Sequence, residues 1–298
     1  MQFLAEFLSM IGRLYPLYSG TLKLANSKLF RLALNQQNGT VWTRLRCGAW
    51  IIVPIQDWIG RSLYYFGDLD PKITWICKKI LRPGDTVIDI GANVGLVSII
   101  ARQFVGQTGL IHAFEPQVTL VDLMRQSLRK NSYSNIIAHP IALGTQEGFM
   151  ELFVPINHVG AASLIQNKQH SHGNKVSIRI ENATTYLTHL KLPLIRLVKI
   201  DVEGFEAKII EGAAEFFKIN QPDVILFELN DYSIPFFYQP VINRLSELGY
   251  QFFDIPKSKF KMRLYPLDLS SSKWYGSDIL AVRKGEVYND IAKLVGVV

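Results

Sequence analysis

The run Asp85-Thr86-Val87-Ile88-Asp89-Ile90-Gly91-Ala92-Asn93-Val94-Gly95-Leu96 constrains the fold of this chain more than any other feature. Val87 to Ile90 has the β-branched composition of a strand buried on both faces. Gly91 and Gly95 permit a tight turn, and Leu96 to Arg102 continues with helical character. Strand, glycine turn and helix in that order belong to an open α/β sheet, whose helix start offers backbone amides to a ligand.

The same alternation runs down the chain. Asp70 to Leu81 reads as a helix, and Arg82-Pro83-Gly84-Asp85 as the turn that launches the first strand at 86–90. Strands follow at 110–114, 136–141, 195–200 and 223–228, with helices over 94–104, 117–131, 204–218 and about 235–247, and terminal strands near 250–255 and 278–283. The rhythm breaks at 148–154 and 176–180, which read as extra strands around a polar loop, 156–175. The pattern predicts a doubly wound, mostly parallel sheet.

Charge narrows the ligand. Asp89 is placed near the carboxyl end of its strand, where a carboxylate repels a pyrophosphate and suits the sulfonium and ammonium groups of S-adenosylmethionine. Gly91 and Gly95 form G-x-x-x-G, with Asn93 where a dinucleotide fingerprint carries glycine. Glu115 ends the next apolar strand, Leu110 to Phe114, where an acid accepts both ribose hydroxyls. Cofactor contacts are therefore expected from Asp89, Gly91, Ala92, Asn93, Gly95, Glu115 and Pro116. A second strand-acid-helix unit, Leu194 to Glu206, adds Asp201 and Glu203 to the same sheet edge, and Glu228 ends a further apolar run.

Four blocks together resemble the FkbM-type S-adenosylmethionine-dependent methyltransferases: V-I-D-I-G-A-N-V-G-L at 87–96, A-F-E-P at 113–116, G-A-A-S-L at 160–164, and V-K-I-D-V-E-G-F-E at 198–206 with the trailing Ile209 to Ala213. A weaker leader, Pro54 to Gly60, contains Asp57. The resemblance covers residues 50–230 and fades toward 283. It implies a Rossmann-like, seven-stranded class I methyltransferase sheet with a reversed final strand, and methyl transfer to a hydroxyl of a sugar, glycan or natural product. It departs from the family at Ala183 to Leu187, which lacks the usual Leu-Asp pair. Ile136 to Leu143 offers no acid for the adenine amine, so a backbone contact near Ala142 is expected there. Asp201 and Glu203 are the candidate bases for the hydroxyl proton, and Asp201 is alternatively a partner of the methionyl ammonium. A divalent cation held by these two acids stays open, although no metal-ligand spacing indicates one. Asp57, Ser163 and Glu228 are candidates for acceptor binding.

The rest of the composition bounds these readings. With 298 residues and 48% hydrophobic content the chain can bury a large core without disulfides. Cys47 and Cys77 stand in no metal spacing and fit a reducing, cytoplasmic setting. Residues 1–45 are expected to form a helical extension, 46–285 the catalytic domain and 286–298 a tail. Within 1–35, Arg13, Lys23, Lys28 and Arg31 interleave with Phe3, Phe7, Leu14 and Leu24, so this extension either meets an anionic membrane surface peripherally, caps the domain or forms a dimer contact. His158, His170 and His172 sit in the polar loop, read as a lid over the acceptor. Lys257, Lys259, Lys261 and Arg263 alternate around Phe260 and Met262, the basic counterpart of a net charge of +7. No recognition helix, zinc spacing or stacked-aromatic motif points to nucleic acid. The absence of an Asn/Asp-Pro-Pro-aromatic box after the fourth strand favours oxygen as the nucleophile. A non-catalytic cofactor-binding or membrane adaptor is the alternative, and a nicotinamide dehydrogenase a lesser one.

Overall fold

The structure is a computed structural model that describes residues 2–34, 39–155, 162–164, 173–256, 258–268 and 274–296. Its centre is β3 (Thr86–Ile90), every residue of which is buried. Parallel neighbours are β4 (Leu110–Phe114) and β5 (Ile136–His139) on one side and β9 (Ile195–Ile200) and β10 (Val224–Glu228) on the other. Beyond β10, β13 (Asp278–Arg283) runs antiparallel between it and β11 (Tyr250–Ile255). This is the reversed final strand that the resemblance implies.

The sheet has eight strands where seven are expected, because β12 (Tyr265–Leu267) adds to the β11 edge. Three residues centred on Pro266 carry no strand signal, and proline is tolerated there because an edge strand has one side without ladder partners. The strands at β7 (Gly148–Pro155) and β8 (Gly173–Asn182) leave the main sheet and join β6 (Ala142–Gly144) in a separate three-stranded sheet.

Side chains alternate across the main sheet and feed two cores. Val87, Leu197 and Val224 pack on one face with residues of α5 (Pro71–Ile80), α6 (Leu96–Val105), α7 (Val118–Lys130) and α12 (Glu286–Val295). Ile88, Val198 and Ile225 pack on the other with α8 (Ala183–His189), α9 (Glu206–Gly212), α10 (Ala214–Ile219) and α11 (Pro240–Glu247). The single helix expected over 204–218 is thus two, and a β-carbon on Gly212 would lie 2.0 Å from the Gly144 carbonyl oxygen, so α9 seats directly on the backbone of β6.

A hairpin of β1 (Thr40–Arg44) and β2 (Trp50–Pro54) straddles residue 45. Its open edge is covered from α7, where Ser127 Oγ accepts from Ile52 N at 3.1 Å and Asn131 Oδ1 accepts from Trp50 N at 2.8 Å. Ahead of the hairpin, α1 (Gln2–Gly12), α2 (Thr21–Ala25) and α3 (Lys28–Ala33) pack around α4 (Trp58–Phe66) over a small core of Ala5, Ala25, Tyr65 and Phe66. Residues 286–295, expected as a tail, form α12, which docks Ile291 and Val295 into the first core. Among the described residues no helix is long and apolar enough to cross a membrane.

Candidate active site

The turn after β3 sets the geometry. Gly91 adopts φ +76°, and a β-carbon there would sit 1.9 Å from the Asp201 carbonyl oxygen, so the turn and the end of β9 approach more closely than any side chain allows. Gly91 N and Ala92 N both donate to the Phe114 carbonyl at 2.9 Å, which ties the turn to β4. Gly95, at φ +85°, starts α6 against Met124. Asn93, at φ +53°, donates its backbone N–H to the Glu115 carboxylate at 3.0 Å, and Gln117 N donates to the other oxygen at 2.9 Å. Burial pushes the Glu115 carboxyl up to about 7 despite these two bonds.

Two cavities open along this edge. A slot of about 60 Å³ is lined by Gly91, Asn93, Glu115, Pro116, Gln117, Ile141 to Leu143, Asp201, Glu203 and Phe205. A larger cleft of about 700 Å³ is lined by Ala92 and Val94, by Lys199, Glu228, Asp70, Lys72 and Asp278, and by Tyr18 to Lys23. Gly91, Asn93, Asp201 and Glu203 line both, so the slot and the cleft meet at these four residues.

Asp89 does not face either cavity. It is fully buried one residue before the strand end, its Oδ2 accepts from Ser98 Oγ at 2.7 Å, and its Oδ1 lies 3.5 Å from Lys199 Nζ. Asp89 and Lys199 stand opposite each other in the β3–β9 register. Lys199 Nζ also lies 3.4 Å from Asp201 Oδ2 and donates to the Gly91 carbonyl at 3.0 Å. Burial works against its charge, but Asp201 and Asp89 outweigh burial and raise the ammonium's pKa. The acid expected to meet a sulfonium is therefore a structural partner of the lysine that holds the turn.

Asp57 is likewise engaged elsewhere. It caps α4, accepting from Ile59 N at 2.8 Å and Gly60 N at 3.2 Å, and it lines neither cavity. Ser163 donates to the Glu203 carbonyl at 2.8 Å and thus holds the loop after β9, while its neighbours Ala162 and Leu164 line the slot. Ala142 lines the slot. Glu203 adopts φ +54°, and its carboxyl is pushed up to about 7 by burial and by the neighbouring Asp201 and Glu206. Glu228, at the end of β10, is pushed up to about 8 by burial and by Asp201. Across the cleft, Lys72 pairs with Asp278 and, at 3.3 Å, with Asp70.

Lys199 and the opposite wall of the cleft went unread in the sequence. The signal for Lys199 is a cation between Val198 and Ile200 at the buried end of an apolar strand, which demands a carboxylate partner. The wall formed by Tyr18 to Lys23 carries no comparable local signal. His158, His170, His172 and Lys257 lie outside the described residues. Among the described residues no group of three His, Cys, Asp or Glu side chains is arranged to hold a metal ion.

The family profile described as "Methyltransferase FkbM domain" matches residues 89–252. The ribosomal protein L11 methyltransferase of Thermotoga neapolitana is 27% identical over 77 residues, 26% of this chain and 28% of that protein, so the chain spans about a quarter of the length of that relative. Among solved structures, a SAM-dependent O-methyltransferase of Thermotoga maritima is 12% identical, with 84% of this chain and 94% of that chain covered and a TM-score of 0.40. A precorrin-6y C5,15-methyltransferase of Geobacter metallireducens is 16% identical, with 71% and 88% covered and the same TM-score of 0.40.

Proposed function

This chain belongs to the FkbM methyltransferase family, and from that membership we propose that it methylates a hydroxyl of a sugar, glycan or natural product. Its cofactor is S-adenosylmethionine, which when bound supplies an electrophilic methyl group on a sulfonium. The residues of the slot, with the adjoining end of the cleft, suit that cofactor. Glu115 presents a buried carboxylate to the ribose hydroxyls, already oriented by Asn93 N and Gln117 N, and Ile141 to Leu143 offer an apolar flank to the adenine. Asp201 lies where the slot opens into the cleft and suits the methionyl ammonium.

The observation that carries the reading is the junction. An acceptor in the cleft and a cofactor in the slot share Gly91, Asn93, Asp201 and Glu203 as a common wall. Glu203 is the side chain we assign as general base, because a carboxyl near 7 holds or releases a proton at working pH and stands at that wall. Its strained backbone is fixed by Ser163 and by Glu206, whose carboxylate accepts from Val202 N at 3.1 Å and Gly204 N at 3.3 Å. Glu228, near 8, offers a second hydrogen-bonding carboxyl to a polyhydroxylated acceptor. The cleft carries Asp68, Asp70, Asp201, Glu203, Glu228 and Asp278 against Lys23, Lys72 and Lys199, and this excess of acids disfavours a phosphate-rich acceptor and supports a neutral hydroxylated one.

The test is calorimetric titration with S-adenosylmethionine followed by transfer of labelled methyl to panels of glycans, hydroxylated small molecules and RNA. Transfer to a hydroxylated acceptor, lost in Glu203→Gln, is the expected result. Transfer to RNA alone refutes the acceptor class, and binding with no transfer to any panel points to a cofactor-binding adaptor.

A further inference from the structure

The N-terminal helical layer is inside out. Helix α1 seats on α4 through small residues: Ala5, Ser9 and Gly12 are buried, Ser9 Oγ donates to the Tyr64 carbonyl at 2.8 Å, and a β-carbon on Gly12 would lie 2.6 Å from the Tyr65 carbonyl oxygen. At helical spacing the opposite side presents Phe3, Phe7, Met10 and Ile11, with Leu14 in the turn just beyond, between 50% and 89% exposed. The inversion repeats on the next two helices. Thr21, Ala25 and Ala33 are buried, whereas Leu22, Leu24, Leu29 and Leu32 are exposed. An apolar face of this extent marks an interaction surface.

Charge selects what covers it. Residues 2–34 hold one acid, Glu6, against Arg13, Lys23, Lys28 and Arg31, and so contribute +3 of the chain's +7. Arg13 is spent on the fold, donating to Thr43 Oγ1 at 2.7 Å and to the Arg44 carbonyl. Lys23, Lys28 and Arg31 are exposed beside the outward leucines. Large apolar side chains interleaved with exposed cations suit an anionic bilayer, where the first enter the headgroup boundary and the second meet lipid phosphates. A second copy of the chain would instead set these cations against their own kind.

We propose that α1 to α3 form a docking face for an anionic lipid surface, and that docking holds the acceptor cleft at that surface. The second half rests on the cleft being the acceptor site. Its structural link is that Leu22 and Lys23 belong both to the exposed layer and to the lining of the cleft. The acceptor class that follows is a hydroxyl carried on a membrane-borne molecule, reached from the interface.

The experiment is co-sedimentation of the full chain with vesicles of phosphatidylcholine alone and of phosphatidylcholine containing roughly one third phosphatidylglycerol. Cofactor titration is run on every variant. Binding to the anionic vesicles is expected, weakening as salt rises. Phe7→Asp with Met10→Asp should weaken it at least ~10-fold, as should Lys28→Glu with Arg31→Glu, while S-adenosylmethionine affinity stays at the parent value. Both pairs lie on the exposed side, so unchanged cofactor binding reports an intact fold. No sedimentation with either vesicle overturns the proposal. So does a concentration-dependent dimer that Phe7→Asp with Met10→Asp dissolves while vesicles are ignored. If the parent chain binds vesicles but not cofactor, the docking face stands and the catalytic reading fails.

Discussion

Replacing Lys199 with methionine tests whether the buried cation holds the turn together. Lys199 Nζ lies 3.5 Å from Asp89, 3.4 Å from Asp201 and 3.0 Å from the Gly91 carbonyl. Its loss leaves Asp89 fully buried with Ser98 Oγ as its remaining charge-stabilising contact, at 2.7 Å. Breaking a buried pair from one side costs ~3–5 kcal/mol, a large part of the ~5–15 kcal/mol that holds a typical protein folded. Asp89→Asn should cost less, ~1–3 kcal/mol, because Lys199 keeps Asp201 and Gly91. The double variant Lys199→Met with Asp89→Asn removes both charges and should be more stable than Lys199→Met alone, with a coupling of ~1–3 kcal/mol. The assay is urea unfolding of all four proteins at constant m. A cost below ~1 kcal/mol for Lys199→Met, or additive effects in the double variant, refutes the reasoning.

Glu115→Gln removes the charge expected to meet the ribose and leaves one of the two backbone N–H groups that Glu115 holds without an acceptor, so calorimetry should show S-adenosylmethionine binding weakened ~10–100-fold and unfolding should show a loss of ~1–3 kcal/mol. A base must be unprotonated, so kcat/KM should rise with pH through about 7, the value to which burial pushes Glu203. Glu203→Gln should remove that limb and lower kcat ~10²–10⁴-fold while cofactor affinity holds. His112 and His139 are stacked, 2.9 Å apart through Nδ1 and Nε2, and burial pushes both down to about 4. A base whose folded pKa is depressed takes its proton more readily when unfolded, so this pair's contribution to stability should fall as pH drops from about 6.5 toward 4, opposite in sign to the raised carboxyls of Glu115, Glu203 and Glu228; it is read as a parent-minus-variant difference in urea midpoint, against His112→Gln with His139→Gln, that shrinks over that range. Gly91→Ala should fail to fold stably or to bind cofactor, since its β-carbon would meet the Asp201 carbonyl and its φ is positive.

The sheet was legible because four of its five parallel strands are short apolar runs with an acid at or beside the end. Thr86–Ile90, Leu110–Phe114, Ile195–Ile200 and Val224–Glu228 are found at or within a residue of where the sequence puts them. Glu115, Asp201 and Glu203 come together for the same reason, since strand ends in such a sheet point to one edge. Asp89 was misread by one residue of depth. It shares the face of Val87, faces Lys199 across the β3–β9 register and is covered by Ser98 from α6. That register is set by tertiary packing and is not written in either strand. Asp57 precedes an apolar helix and reads equally well as ligand or cap, and the two amides it accepts decide for the cap. Tyr18 to Lys23 reach the cleft only because α1, α2 and α4 pack together, which no local pattern announces.

The strain at the edge is localised in a way that bears on how the site works. Among the described residues the non-glycine positions with positive φ are Asn93, Ser132, Lys191 and Glu203, and two of these four line both cavities. Each is held by a carboxylate from a neighbouring element: Glu115 takes the N–H of Asn93, and Glu206 takes the N–H groups flanking Glu203. Glu115 and Glu206 are themselves buried and raised by burial, so they contribute charge-assisted bonds at a desolvation cost. A fold selected for stability alone would place glycine, which adopts positive φ freely, at 93 and 203. The acids instead fix two backbone turns against each other across the Gly91–Asp201 contact, which sets the slot and the cleft at one constant offset. Methyl transfer depends on alignment of donor and acceptor more than on any single group, and under the proposed function this junction of slot and cleft is the part of that alignment the chain itself supplies.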